Sequence, residues 1–79
     1  MPQTLEKLLL LVDAALAGDQ RSADALRLVG EALLLGGGIE AMRALQGQLH
    51  DYAVEHYRAG NRGSSIGSYW EHLDEWAKL

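Results

Sequence analysis

The chain has 79 residues, 48% of them hydrophobic, and seven Lys and Arg against eleven Asp and Glu give it a net charge of −4. This length allows one small domain, residues 1–79, and leaves too little chain for the Rossmann and barrel folds of many enzymes. Fifteen Leu and eleven Ala against three Val, two Ile and one Thr favour helix, because strands are usually built from β-branched and aromatic residues. The composition predicts an all-α fold, a small bundle of four helices joined by short glycine-rich connections.

The first predicted helix covers about residues 4–17. Thr4 is a suitable N-cap, and Gly18 is a natural residue after the C-terminus because glycine adopts the left-handed conformation freely. The apolar side chains follow helical spacing, and Leu10 and Leu11 widen the stripe over more than half of the helix surface. One contact face cannot cover so many leucines, so we expect part of this helix to meet a partner.

Two further helices are predicted at about residues 20–35 and 39–59. Asp19 or Ser22 can cap the first of the two. The triplet Gly36–Gly38 should end that helix, because three consecutive glycines cost too much backbone entropy to remain helical. The helix after the triplet is predicted to be the longest of the four.

Residues 60–68 are predicted to form the clearest loop in the chain. Ser68-x-x-Glu71 is typical of a capping box, and it predicts a short fourth helix at about residues 68–78. Arg62 and the following helix N-terminus suggest a second interpretation of the loop, an anion site, because backbone N–H groups there favour anions. The capping box would occupy the same donors, and the sequence leaves this question open.

Charge and composition also bear on partners and compartment. The basic residues are scattered rather than gathered on one stripe, so we expect no nucleic-acid partner. The absence of cysteine excludes disulfides and thiolate metal sites, and it fits a cytoplasmic protein. The apolar run Leu8–Val12 is too short for a signal peptide or a membrane span, so we expect no association with a membrane.

No residue pattern predicts catalysis or metal binding. His50 and His56 are six positions apart and do not share a helix ridge, and Glu-x-x-His, the motif of di-iron bundles, does not occur in the sequence. We expect His56 to be partly buried and His50 and His72 to be exposed. The serines lack the setting of a nucleophile elbow. The sequence therefore predicts no catalytic residue, no metal and no cofactor, and a protein that is not an enzyme.

The aromatic residues are concentrated between positions 52 and 76, and they are Tyr52, Tyr57, Tyr69, Trp70 and Trp76. They could pack onto the leucine-rich helices or form a protein interface, and both interpretations remain open because core and interface aromatics look alike in sequence. Helical spacing places Trp70 on one ridge with Leu73, so we expect Trp70 to face the core and Trp76 to face the rim or a partner.

The apolar surplus and the small size predict a small protein–protein interaction module, such as an adaptor, a small chaperone or a stoichiometric inhibitor. We expect it to bind a protein partner, to self-associate, or to do both. The predicted binding residues are Leu10, Leu11, Tyr69, Trp70, Leu73 and Trp76. The alternative is a helix-turn-helix transcription regulator, which would need a recognition helix rich in Arg, Lys, Asn or Gln.

Overall fold

The computed structural model of the chain describes the backbone of residues 2–78 and the side chains of residues 5–78. Over that range it contains helices and no strand, which confirms the predicted all-α class. The elements are α1 (Pro2–Leu16), α2 (Gln20–Tyr57), α3 (Gly60–Ser64), a 3₁₀ helix (Ser65–Trp70) and α4 (Asp74–Ala77). One very long helix followed by three short elements does not match the predicted bundle of four helices.

The first helix agrees with its prediction in extent but not in its cap. It begins at Pro2, so Thr4 lies inside the first turn and is not the N-cap. At the other end, Gly18 has the expected left-handed torsion, with φ of 104°. Asp19 precedes α2 with extended torsions, and its carboxylate accepts a hydrogen bond from the Ser22 hydroxyl.

The glycine triplet bends α2 rather than ending it. The helix continues through Gly36 and Gly37, and only Gly38 leaves helical torsions, with φ of 70° and ψ of −164°. A straight helix of 38 residues would be about 57 Å long, whereas the longest dimension of the chain is 30 Å. The helix therefore folds at Gly38 into a first arm, residues 20–37, and a second arm, residues 39–57.

No helix within residues 2–78 combines the length and the apolar character needed to cross a membrane.

The second arm of α2 ends earlier than predicted, at Tyr57, because Arg58 takes the left-handed conformation with φ of 54°. Gly60, the predicted end of this helix, instead packs closely against α2. A Cβ there would lie 2.5 Å from the His50 ring, so the absence of a side chain lets this segment approach α2.

The core lies between α1, both arms of α2 and the 3₁₀ helix. Its fully buried large side chains come from all of these elements, and they are Leu9, Val12, Leu26, Met42, Leu49, Ile66 and Trp70. Apolar burial contributes about 1.5–3 kcal/mol for a side chain of this size. The break at Gly38 makes this core possible, because it lets Met42 and Leu49 of the second arm join Leu26 of the first arm in one core.

Trp70 attaches the C-terminal segment, residues 65–78, to the first arm of α2. The indole is fully buried, and its Nε1–H donates a hydrogen bond of 2.9 Å to the backbone carbonyl of Leu26. It fits over Gly30, where a Cβ would come within 2.3 Å of the ring. Trp76 packs edge-on against it, with ring centroids 4.9 Å apart, and is only half-buried. The predicted core position of Trp70 is confirmed, although Trp70 and Leu73 do not share the helix ridge on which the prediction rested.

The predicted fourth helix at 68–78 and its capping box are wrong. Residues 65–70 form the 3₁₀ helix, and only Asp74–Ala77 form an α-helical turn. The Ser68 hydroxyl donates to the Ser65 carbonyl instead of capping a helix. Burial of Ile66 and Trp70 in the core takes precedence over the local capping signal, because their tertiary contacts outweigh a cap of about 1 kcal/mol.

The predicted loop at 60–68 is also wrong, because its glycines serve close packing rather than flexibility. A Cβ on Gly63 would lie 2.4 Å from the Leu49 carbonyl oxygen, and one on Gly67 would lie 2.5 Å from the Gln46 amide. Gln46 Nε2 in turn donates to the Ser64 carbonyl at 2.8 Å. The segment therefore lies close against the second arm, and at Gly63 it meets backbone atoms at a distance that only glycine permits.

Two glycine-to-alanine changes in α2 should have opposite effects, because Gly30 lies against Trp70 and Gly47 faces open space. Gly30→Ala should lower the free energy of unfolding by about 1–3 kcal/mol, because the new methyl group would overlap the buried indole. Gly47→Ala should raise it by about 0.5–1 kcal/mol, because Gly47 is exposed, helical and has open space around it. Urea unfolding followed by circular dichroism measures both. Stabilisation by both changes would contradict the position of Trp70.

The two tryptophans should differ in their contribution to stability. Trp70→Ala should cost about 3–5 kcal/mol, since it empties a fully buried site and leaves the Leu26 carbonyl without its indole partner. Trp76→Ala should cost clearly less, because its ring is half-buried. The comparison requires thermal and urea melts of both variants. An equal or larger loss for Trp76→Ala would reverse this assignment.

Candidate interaction surface

The first arm of α2 presents apolar side chains to solvent on the side opposite the core. Leu28 and Leu35 are 65% and 91% exposed, and Ala32 between them is exposed as well. Spacings of four and three residues place the three on one side of the helix. Leu26 and Gly30, which are buried, lie on the other side. We call Leu28, Ala32 and Leu35 the outward face; the chain itself leaves it uncovered.

Charged residues border the outward face on one flank. Asp24 accepts a hydrogen bond of 2.6 Å from Arg27, three residues further on, and this pair is largely exposed. Glu31 lies 3.2 Å from His72 Nε2 on the C-terminal segment. An apolar strip with a polar border is the usual composition of a protein-binding patch.

A small groove of about 220 Å³ lies at the C-terminal end of the outward face, and it is lined by Glu31, Leu34, Leu35 and Leu73. Leu34 and Leu73 are half-buried and pack against the core, whereas Leu35 is almost fully exposed. The groove connects the outward face to the C-terminal segment, because Leu73 belongs to that segment. It offers an apolar recess next to a carboxylate.

The six binding residues predicted from the sequence do not form one surface. On α1, Leu10 is 56% exposed and Leu11 is half-buried against the core. Tyr69, Leu73 and Trp76 are half-buried against the core, and of these Leu73 reaches the groove. Trp70 has no exposed surface, so it supports the surface from inside and does not reach solvent. The prediction that these residues bind a partner stays a prediction.

Leu28 and Leu35 are not identified as surface residues by the sequence analysis. The angular positions of these residues around the helix could have revealed their exposure. Leu28 is about 200° around the helix from both Leu26 and Gly30, so a stripe that buries those two must expose Leu28. Leu35 follows Leu28 by seven residues and therefore shares its side of the helix.

A second groove, of about 660 Å³, lies between the second arm and the C-terminal segment, and it is lined by Arg43, Gln46, Glu71, Trp76 and Ala77. It combines a cation, an anion, an amide and an indole. Within this set no nucleophile stands beside a base, and Gln46 is already engaged with the Ser64 carbonyl. The groove is suited to contact with a polar group and presents no reactive arrangement.

The histidines have structural partners, and two of them differ from expectation. His50, expected to be exposed, is half-buried, with Nδ1 lying 3.1 Å from the Gly60 carbonyl and 2.8 Å from the Ser64 hydroxyl. His56, expected to be partly buried, is exposed and packs against the Tyr52 ring at 4.2 Å between centroids. In the described part of the chain, no three His, Cys, Asp or Glu side chains converge on a point where a metal ion could bind.

Arg62, the cation of the suggested anion site, is engaged by a carboxylate of the chain itself. Its guanidinium forms two hydrogen bonds with Asp13 of α1, one of them 2.8 Å from Nε to Oδ1. Its Cζ also lies 4.8 Å from the centre of the Tyr57 ring. The hydrogen bonds to Asp13 raise the pKa of Arg62 above its usual value. The pair connects α3 to α1, and the structure gives no support to an anion site in this segment.

Glu6 completes this polar connection at the other end of α1. It accepts hydrogen bonds from the hydroxyls of Tyr52 and Tyr57, the latter 2.7 Å from Oε2. The two donated hydrogen bonds lower the pKa of Glu6. The same hydrogen bond to Glu6 raises the pKa of Tyr52 to about 12, and that of Tyr57 also rises. Glu6, Asp13, Tyr52, Tyr57 and Arg62 form what we call the polar clamp, which attaches α1 to the rest of the chain.

Comparison of the chain with protein-family models, with curated proteins and with solved structures gives no match.

The polar clamp predicts an unusual tyrosine titration. In a variant with Tyr57→Phe and Tyr69→Phe, Tyr52 should still ionise well above the usual 10.0, because its hydrogen bond to Glu6, which raises its pKa to about 12 in the natural chain, is kept. Adding Glu6→Gln should move this midpoint back towards 10.0, because the carboxylate partner of the hydroxyl is gone. Adding Glu40→Gln, a change on the second arm outside the clamp, should leave it unchanged. Absorbance at the tyrosinate band measures the midpoints, with circular dichroism as a check on folding at each pH.

The sign of the linked stability change follows from the raised pKa of Tyr52. Below pH 10 the hydroxyl is protonated in the folded and unfolded chain alike, so its stabilising hydrogen bond is fully present. Between pH 10 and about 12 the unfolded chain releases this proton first, and the free energy of unfolding falls. A midpoint near 10 in the folded chain that still carries Glu6, or a raised midpoint that Glu6→Gln leaves unchanged, would contradict the contact.

Proposed function

We propose that the chain is a non-enzymatic protein–protein interaction module that binds through the outward face of α2. The observation that carries the proposal is the exposure of Leu28 and Leu35 on a helix whose other side is already buried. Exposing a leucine instead of burying it forgoes about 1.5–3 kcal/mol of stabilisation. Two such residues in register, with Ala32 between them, are typical of a helix that buries its second side against another protein.

The groove extends this binding surface towards the C-terminal segment. Leu73, one of the residues predicted from the sequence, contributes to the recess beside Leu35. A partner that lays a helix along the outward face would reach this recess with one apolar side chain. Leu10 of α1 is a separate exposed leucine, which we propose as a secondary contact.

An adaptor or regulatory role fits this surface better than a nucleic-acid role. Of the basic residues in the described part of the chain, Arg27 is paired with Asp24 and Arg62 with Asp13, so neither is offered to a phosphate backbone. The helix-turn-helix alternative therefore has less support. The absence of cysteine is compatible with action in the reducing cytoplasm, which we include in the proposal.

A paired capture experiment tests the outward face. Immobilised wild type and the variants Leu35→Glu and Leu16→Glu are exposed to an extract of the native host that also contains a differently tagged copy of the chain. Leu16 is the matched control, since it is 56% exposed but lies at the end of α1. Proteins bound by wild type should fall about thirtyfold with Leu35→Glu, as expected for loss of a contact of about 2 kcal/mol. They should remain with Leu16→Glu.

Circular dichroism melts accompany the capture, and Leu35→Glu should melt like wild type because its side chain is 91% exposed. Retention of the same proteins at the same level by all three chains would contradict the proposal.

A further inference from the structure

The exposed side of the first arm carries a repeating pattern of small and large side chains. Ala25, half-buried at the edge of the outward face, precedes Leu28, Ala32 and Leu35. The spacings between these four are three, four and three residues, which is the spacing of the contact positions in a two-stranded helical pair. The pattern spans about three helical turns.

The alternation of small and large side chains favours one relative direction for two paired copies of this helix. If a second copy of the helix runs in the opposite direction, Leu28 meets Ala32 of the second copy while Leu35 meets Ala25. Each large side chain then faces a small one, which lets the two helices approach closely without a gap. In a parallel pair, leucine would face leucine and alanine would face alanine. The leucine layers would then set the distance between the helices, and the alanine layers would leave gaps.

We propose that the outward face pairs with the same face of a second copy of this chain, in an antiparallel arrangement with two-fold symmetry. The inference rests on the proposed function and names its partner. A two-fold interface requires a surface that is complementary to itself, and the alternation Ala-Leu-Ala-Leu with symmetric spacing meets that requirement. The exposed Gly36 and Gly37 beyond Leu35 have no side chains to obstruct the second helix.

The pairing leaves the internal packing of each copy unchanged. Trp70 and the core occupy the side of the first arm where Leu26 and Gly30 lie, and the pattern is on the opposite side. A seam of this length is short, so we expect a reversible dimer with a dissociation constant in roughly the micromolar range. The net charge of −4 on each copy also opposes tight association.

Sedimentation equilibrium between 5 and 500 µM tests whether the dimer forms. Wild type should pass from monomer to dimer, Leu28→Glu should weaken the association at least tenfold, and the control Leu16→Glu should leave it unchanged. Wild type that stays monomeric at 500 µM would overturn the inference, and so would association that Leu28→Glu does not weaken.

Cysteine cross-linking tests the direction of the pair, since the natural chain has no cysteine. A mixture of Ala25→Cys and Leu35→Cys chains should form a disulfide between the two species on mild oxidation. Leu35→Cys alone should form far less, because two copies of position 35 would be about 15 Å apart along an antiparallel pair. Preferential disulfide formation by Leu35→Cys alone would overturn the antiparallel arrangement.

These results also separate the inference from the proposed function. A strictly monomeric chain that still captures another protein in a Leu35-dependent manner would refute the dimer and leave the interaction module standing. A chain that dimerises and loses its dimer with Leu28→Glu supports both.

Discussion

The burial of Trp70 over Gly30 is the interaction on which the rest of the fold depends. The indole fills the space left by a missing side chain and donates to the Leu26 carbonyl at 2.9 Å. It holds the 3₁₀ helix against the first arm of α2, while the close approach of Gly63 to the Leu49 backbone places α3 against the second arm. The chain after α2 therefore contacts both halves of the long helix.

This contact also determines which side of the first arm remains free. Because Trp70 occupies the side of Leu26 and Gly30, the leucines half a turn away cannot be buried by the chain itself. A chain of this size buries only about 60% of its unfolded surface. The two most exposed of its described large apolar side chains, Leu28 and Leu35, lie on this one helix face. The packing of Trp70 against Leu26 and Gly30 therefore both completes the core and leaves the outward face exposed.

Helical content and the C-terminal glycine of α1 were predictable, because composition and glycine punctuation are local signals. The core position of Trp70 was predicted correctly, but from the spacing of a helix at 68–78 that does not form. The break at Gly38 was visible only as a helix end, since sequence does not tell a bend from a terminus. The segment at 60–70 was mispredicted because a glycine that permits close approach looks like one that permits flexibility. Leu28 was not identified as a surface residue because the sequence alone does not show which side of the first arm faces the core, and the contact of Gly30 with Trp70 determines that side.

The exchange rate of the Trp70 indole proton tests the central claim most directly, since it reports on burial and on the hydrogen bond to Leu26 in the intact chain. In hydrogen-exchange NMR the Trp70 Nε1–H should exchange only through global unfolding, much more slowly than the Trp76 Nε1–H, which belongs to a half-buried ring. Equally fast exchange of both indole protons would contradict it. In that case the C-terminal segment would not be held on the first arm, and the distinction between its inner and outer sides would be lost.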